Sequence, residues 1–188
     1  MKNIKKIVFI DHDGTLMDVP MPDTGRIIWK QKTGTDYPHQ GWWGQPDSLN
    51  TNVFDIKPFQ SIESILKKEN ANPDSYTVLL TNRIPKFEPI IKNLLNSMGL
   101  HFDEYSFKND QRNKKERILE ISSKFPSLEE INVFDDQNDQ IEILRTLKHD
   151  VDSTIRVEVY QTNNGQLSLV ERHQTVEFWI KKGIKKYL

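Results

Sequence analysis

The sequence predicts an α/β fold, a parallel sheet with helices on both faces. Three observations carry this. Short apolar runs alternate with segments whose apolar residues recur at helical spacing. The strand-like runs Ile7–Ile10, Tyr76–Leu80 and Ile131–Phe134 are nearly continuously hydrophobic, as strands buried on both faces are. Each of the three is followed at once by polar residues, Asp11, Thr81 and Asp135, and ligands in such sheets bind beyond the carboxyl ends of strands.

Taken in order, Ile7–Ile10 is the first strand. Residues 20–58 then form an insertion rich in Pro, Gly, Asp and aromatics, without a clear period and too long for an idle connection. Phe59, Ile62, Ile65 and Leu66 mark a helix. After the second strand, Phe87, Ile90, Ile91, Leu94, Leu95 and Met98 make an apolar stripe, with Gly99 as its C′ residue. Residues 103–107 suggest a short strand. Ile118, Leu119, Ser122 and Phe125 mark a helix before Pro126. Ile141, Leu144 and Leu147 mark the helix after the third strand. Residues 155–161 and 166–172 read as a hairpin around Asn163-Asn164-Gly165. Val176, Trp179, Ile180, Ile184 and Tyr187 give a final amphipathic helix, with residues 151–188 forming the C-terminal hairpin and helix.

Length and composition agree. The 188 residues suit a single domain, 36% hydrophobic and 28% charged, as expected of a soluble protein. No apolar run reaches the roughly 18 residues of a membrane span, so no membrane association is expected. Without cysteine, disulfides and thiolate metal sites are excluded, and the cytoplasm is the natural compartment. A formal net charge of −1 does not announce a nucleic-acid binder, although Lys181, Lys182, Lys185 and Lys186 cluster locally. The bland reading of that cluster is the solvated face of a helix; the sharper one is a phosphate-tracking patch.

The chemistry centres on Asp11-His12-Asp13-Gly14-Thr15-Leu16. Alternate strand residues point to opposite faces, so Asp11 and Asp13 converge only if the strand ends at Asp11. Gly14 permits the bend, and the exposed N–H groups of such a turn form an anion nest. Two adjacent carboxylates repel unless one is protonated or a cation lies between them. A hard cation with oxygen ligands, Mg2+, resolves the conflict. Thr81-Asn82-Arg83 offers a hydroxyl, backbone donors and a guanidinium fork suited to phosphate. Asp135-Asp136-Gln137-Asn138-Asp139 crowds three carboxylates at a buried strand end, which is costly without a cation or lysine.

The hexapeptide resembles the first signature of the haloacid dehalogenase (HAD) superfamily, largely phosphohydrolases with a Rossmann-like sheet. The resemblance implies that Asp11 attacks phosphorus. It implies that Asp13 protonates the leaving oxygen, then activates water, and lends its backbone carbonyl to Mg2+. Thr81 matches the second signature as a phosphate ligand. The superfamily also needs a lysine that neutralises the phosphoryl group. Lys108, Lys114 and Lys115 are candidates; Lys115, four residues before Leu119 and seven before Ser122, is preferred, with Lys114 next. Asp135 and Asp136 match the acidic fourth signature as metal ligands, and Asp139 is a candidate to position the lysine.

The insertion carries Pro20-Met21-Pro22 and Gly41-Trp42-Trp43-Gly44-Gln45-Pro46. Trp42 and Trp43 are either a hydrophobic plug or a platform on which a base or sugar stacks. With Leu79-Leu80-Thr81-Asn82-Arg83, the pattern is similar to the HAD-type domain of Swiss Army Knife RNA repair proteins. Asn82 stands where that family has Gly, and Gln137 where it has Arg. The resemblance implies a phosphatase of polynucleotide ends, with Arg83, Asn82, Lys114 and the Trp pair toward an RNA or DNA end. A small-molecule phosphatase such as a nucleotidase, and a non-catalytic module binding RNA ends or a protein, are the alternatives.

Overall fold

A computed structural model of the protein describes residues 3–183. Six strands form one sheet in the order β3-β2-β1-β4-β5-β6. They are β1 (Lys6–Ile10), β2 (Ser75–Leu80), β3 (Glu104–Ser106), β4 (Glu130–Asp135), β5 (Arg156–Asn163) and β6 (Gln166–His173). β1 is central, parallel to β2 on one side and β4 on the other, with Ile10 opposite both Leu79 and Phe134. Only the last pairing, β5 with β6, is antiparallel. The C-terminal hairpin thus extends the sheet. Its turn needs positive φ at two residues in a row, which Asn164 (47°) and Gly165 (77°) supply.

The pleat divides the core. Val8, Ile10, Leu79 and Phe134 face α2 (Gln60–Asn70) and α3 (Glu88–Ser97). Ile7, Phe9, Val78, Leu80, Ile131 and Val133 face α4 (Lys114–Ser122) and α5 (Asn138–Leu144). Helices on both faces explain why these strands read as unbroken apolar runs. Gly99 adopts φ 69° just past α3, as its place after the apolar stripe predicts.

Two expectations change. The segment read as lacking a period contains α1 (Pro22–Thr33) and a 3-10 turn, Pro46–Leu49. No apolar stripe marks α1 because within it only Gly25 is buried, and Ile27 is exposed. The helix is defined instead by Pro22 at its first turn, a left-handed Gly34 closing it, and Arg26 donating to the carbonyls of His39 and Gln40. The final helix, α6, is Val176–Lys181. Ile184 and Tyr187, and with them Lys185 and Lys186, lie outside the described residues. Of the described lysines of that cluster, Lys182 pairs with Glu129. No helix among the described residues is long and apolar enough to cross a membrane.

Candidate active site

Three strand ends build the site. Asp11 follows β1 directly, its N–H donating to the Phe134 carbonyl at 3.0 Å. Thr81 follows β2, and Asp135 ends β4. Because β1 lies between β2 and β4, the polar residues that follow these runs meet at one edge of the sheet. Asp11 and Thr81 line a cavity of about 340 Å³ with Asp13, Trp43, Asn82, Arg83, Lys114 and Gln137, and Asp135 lies behind it, joined to Lys114.

The turn after β1 is shaped by Gly14, at φ 76°. A Cβ there would meet Asp136 Oδ2 at 2.4 Å, so glycine is needed both for the backbone and for the approach of this carboxylate. Thr15 is fully buried, its hydroxyl 3.1 Å from that of Thr162 on β5.

Lys114 is the lysine of the site. Its Nζ donates to Asp11 Oδ1 at 2.7 Å and to Asp135 Oδ2 at 2.6 Å, all three groups being buried. Lys115, the residue preferred from the sequence, points elsewhere, to the Thr146 hydroxyl at 3.0 Å and Asp150 at 2.7 Å. The inward face of α4 is Lys114, Arg117, Ile118, Ile121 and Ser122, a stripe at i, i+3, i+4, i+7 and i+8. Anchoring the helical phase on Ile118 and Ile121 rather than Leu119 selects Lys114. The same stripe contains Arg117, which the sequence reading missed. Asp139 is exposed and accepts from Gln140; Asp135 is the carboxylate that holds the lysine.

Charge in this cluster is distributed unevenly. Burial pushes the Lys114 ammonium down, but the facing Asp11 and Asp135 carboxylates outweigh it and raise it to about 12. Burial drives the Asp11 carboxyl well up, Lys114 opposes this, and the nearby Asp135 and Asp13 add to it. Asp136 rises to about 6, from burial and then from Asp135. Asp13 goes the other way. Burial would raise it, but His12 and Arg83 together hold it well below the ordinary carboxylate range.

Arg83 grips Asp13 bidentately, Nε to Oδ2 at 2.8 Å and Nη2 to Oδ1 at 2.9 Å. Its Nη1 donates to Ser48 Oγ at 2.8 Å and to the Trp43 carbonyl at 3.2 Å, tying the turn after β2 to the 20–58 segment. Arg83 is therefore half of a buried ion pair. Thr81 Oγ1 accepts from the Arg83 N–H at 3.1 Å, leaving its own hydrogen to donate.

The two tryptophans separate. Trp42 is buried, packed on Tyr37 and Phe54 at ring-centroid distances of 4.8 and 5.6 Å. A Cβ on Gly25 would come within 2.1 Å of its ring. It is the plug of the two readings, and its place among substrate-binding candidates is corrected. Trp43 lines the cavity, partly exposed, with the Arg83 guanidinium 5.4 Å from its ring centroid. Trp42→Ala is accordingly expected to cost about 3–5 kcal/mol in chemical denaturation. Trp43→Ala is expected to change stability little, and equal losses in the two variants would refute the distinction.

Oxygen ligands of Asp11, Asp135 and Asp136 lie within 4.8 Å of one another, a set of hard donors that fits Mg2+. The Asp13 carboxylate, expected with this set, faces Arg83 and His12 instead; only its backbone carbonyl remains for the role the resemblance assigned it. Because the folded-state pKa of Asp136 lies above the roughly 3.9 of an unfolded aspartate, its contribution to stability is present at low pH. It is lost as pH rises toward about 6, and Asp11 acts in the same direction. Mg2+ is therefore expected to raise the Tm clearly near pH 7.5 and little near pH 4.5, where protonated carboxylates bind it poorly. Equal shifts at both pH values would refute this.

A central parallel strand ending in an acidic turn, flanked by a threonine turn and an acid–lysine pair, defines a domain of the HAD superfamily. The family model that matches, over residues 24–182, is that of HAD domain family 1 in Swiss Army Knife RNA repair proteins, and the chain belongs to it. A Saccharomyces cerevisiae relative, the uncharacterized protein YMR265C, is 27% identical, the match covering 79% of this chain and 38% of that one. The fold is similar to the HAD domain of effector protein Lem4 from Legionella pneumophila, solved as an inactive mutant, with TM-score 0.56, 16% identity and coverage of 97% and 94% of the two chains. It is also similar to a chain of the Pnkp1/Rnl/Hen1 complex, with TM-score 0.55, 18% identity and coverage of 85% of this chain and 46% of that one. Family and fold together support a phosphatase-like domain related to RNA repair proteins. The chain spans well under two thirds of the yeast relative and of that complex's chain.

Proposed function

We propose that the protein is a Mg2+-dependent phosphohydrolase that acts on phosphorylated polynucleotide ends through an aspartyl-phosphate on Asp11. The observation that carries this reading is the Lys114 bridge between Asp11 and Asp135, beside an Asp13 held by Arg83. Lys114 keeps Asp11 positioned and offsets its charge as an anionic phosphoryl group approaches. Mg2+, held by Asp11, Asp135 and Asp136, would neutralise charge on the transferring group. Thr81 donates its hydroxyl hydrogen to an equatorial oxygen.

Asp13 starts ionised in the grip of Arg83, which suits it to take a proton from the water that attacks the aspartyl-phosphate. To protonate the leaving oxygen in the first half-reaction, it must first be released. Phosphoryl oxygens compete for the same guanidinium fork, so substrate binding loosens Arg83 from Asp13 and raises its proton affinity. Trp43 and Arg83 at the mouth offer a stacking face and a cation to a nucleotide.

The polynucleotide part of the reading rests on the family and on Trp43. A small-molecule phosphatase is favoured by one feature: among the described residues, no lysine or arginine lines the neighbouring cleft of about 580 Å³ beyond Gly14 and Asp136. Phosphate release from 3′-phosphorylated, 2′,3′-cyclic and 5′-phosphorylated oligonucleotides and from free nucleotides, with Mg2+, separates the readings. Release from one kind of oligonucleotide end supports the first, release from nucleotides alone the second. No release from any of them would remove the main support for end processing.

A further inference from the structure

Arg117 lies one turn along α4 from Lys114, 2% exposed, and forms no ion pair with a carboxylate among the described residues. Its hydrogen bonds all go to neutral oxygens. Nη1 donates to the carbonyls of Thr81 and Ser106 at 3.0 Å each and to Ser106 Oγ at 3.2 Å; Nη2 donates to Asn82 Oδ1 at 3.0 Å. Its Nε has no partner among the described residues. Burying a guanidinium without a hydrogen-bonded carboxylate is costly; Asp11 and Asp110 act on this one only through space, so its charge is left for an anion that comes closer. The guanidinium lies directly behind the Thr81–Asn82 turn.

The geometry also settles the orientation of Asn82. A guanidinium only donates, so the side-chain atom facing Arg117 must be the amide oxygen. The Nδ2 group is then the arm left for the cavity, which Asn82 lines with Thr81 and Lys114. The glycine that the family pattern has at this position offers no such donor.

We propose that Arg117 is a positioning residue for phosphate: it fixes the Asn82 amide so that Nδ2 donates to a phosphoryl oxygen, and its own charge is compensated when that anion binds. The inference rests on the phosphatase reading and adds a phosphate donor to it. Arg117 touches no reacting atom and acts through Asn82 and the Thr81 carbonyl.

The test is the binding of inorganic phosphate to the whole protein with Mg2+, by calorimetry, alongside Asp11-dependent hydrolysis of an aryl phosphate. Arg117→Gln and Asn82→Gly are each expected to weaken phosphate about tenfold or more, as the loss of a hydrogen bond to a charged group does. The double variant is expected to be no weaker than the worse single one, because both remove the same interaction. Arg117→Lys, which keeps the charge but not the fork, is expected to fall between wild type and Arg117→Gln. If Arg117→Gln does not fold, the cycle is run with Arg117→Lys. Folded Arg117 variants that bind phosphate as wild type does, or effects that multiply in the double variant, would overturn the inference while hydrolysis by wild type left the phosphatase reading standing. A wild type that neither hydrolyses the ester nor binds phosphate would end both.

Discussion

Asp11→Asn is expected to lower phosphate release by at least about a thousandfold, since removing the nucleophile removes nearly all that the cooperating groups contribute. The same variant is expected to keep or raise the metal-free Tm near neutral pH. Burial and the neighbouring Asp135 and Asp13 carboxylates make the ionised Asp11 an unfavourable group, although Lys114 offsets part of this. Asn removes the charge at nearly constant shape, and Lys114 retains Asp135 at 2.6 Å. Lost activity with an undiminished melting temperature is the pattern of a site that trades stability for chemistry. A variant that loses activity only in proportion to a lowered melting temperature would point to a structural role instead. Retained activity would remove Asp11 from the mechanism.

Lys114→Met is expected to be damaging in both respects. It leaves Asp11 and Asp135 buried without their shared cation, a loss of about 3–5 kcal/mol when one partner of a buried ion pair is removed. It also removes the charge that receives the phosphoryl group. Mg2+ is expected to restore part of the stability, because it neutralises the same carboxylates. Lys115→Met, next in sequence, breaks only a partly exposed pair with Asp150, worth about 1 kcal/mol at most. Urea denaturation and aryl phosphatase assays on the two variants measure the contrast directly. Equal effects would mean that the lysine assignment is wrong.

That contrast marks where sequence reasoning stopped. Both lysines lie at the start of one helix, and a one-residue error of phase turns a side chain by about 100°. The stripe through Ile118 and Ile121 contained the answer, but Leu119, only partly buried, is as apolar as either. Arg117 was harder to see. Nothing in composition distinguishes a buried arginine from a solvated one, since its burial depends on the turn after β2 lying across α4. The Trp42-Trp43 pair presents the same difficulty. Adjacent identical residues take opposite fates because Gly25, far away in sequence terms, leaves room for one of them.

By itself, the sequence determined the sheet, its parallel strands and the three places where polar groups emerge from it. Those features are local: apolar runs of strand length, the residues that end them, and Gly14 in a turn that only glycine fits. Tertiary structure alone decided which lysine meets Asp11, that Asp13 is held by Arg83, and that Arg117 supports Asn82 from behind. Each of these joins groups dozens of residues apart, and their identity depends on helix phase and on packing across elements, which no local pattern encodes. For α1 the reason is different. Its apolar packing comes from the adjacent, partly buried Ile28 and Trp29, and proline, glycine and Arg26 supply the rest, so no i, i+3, i+4 stripe is left in the sequence to read.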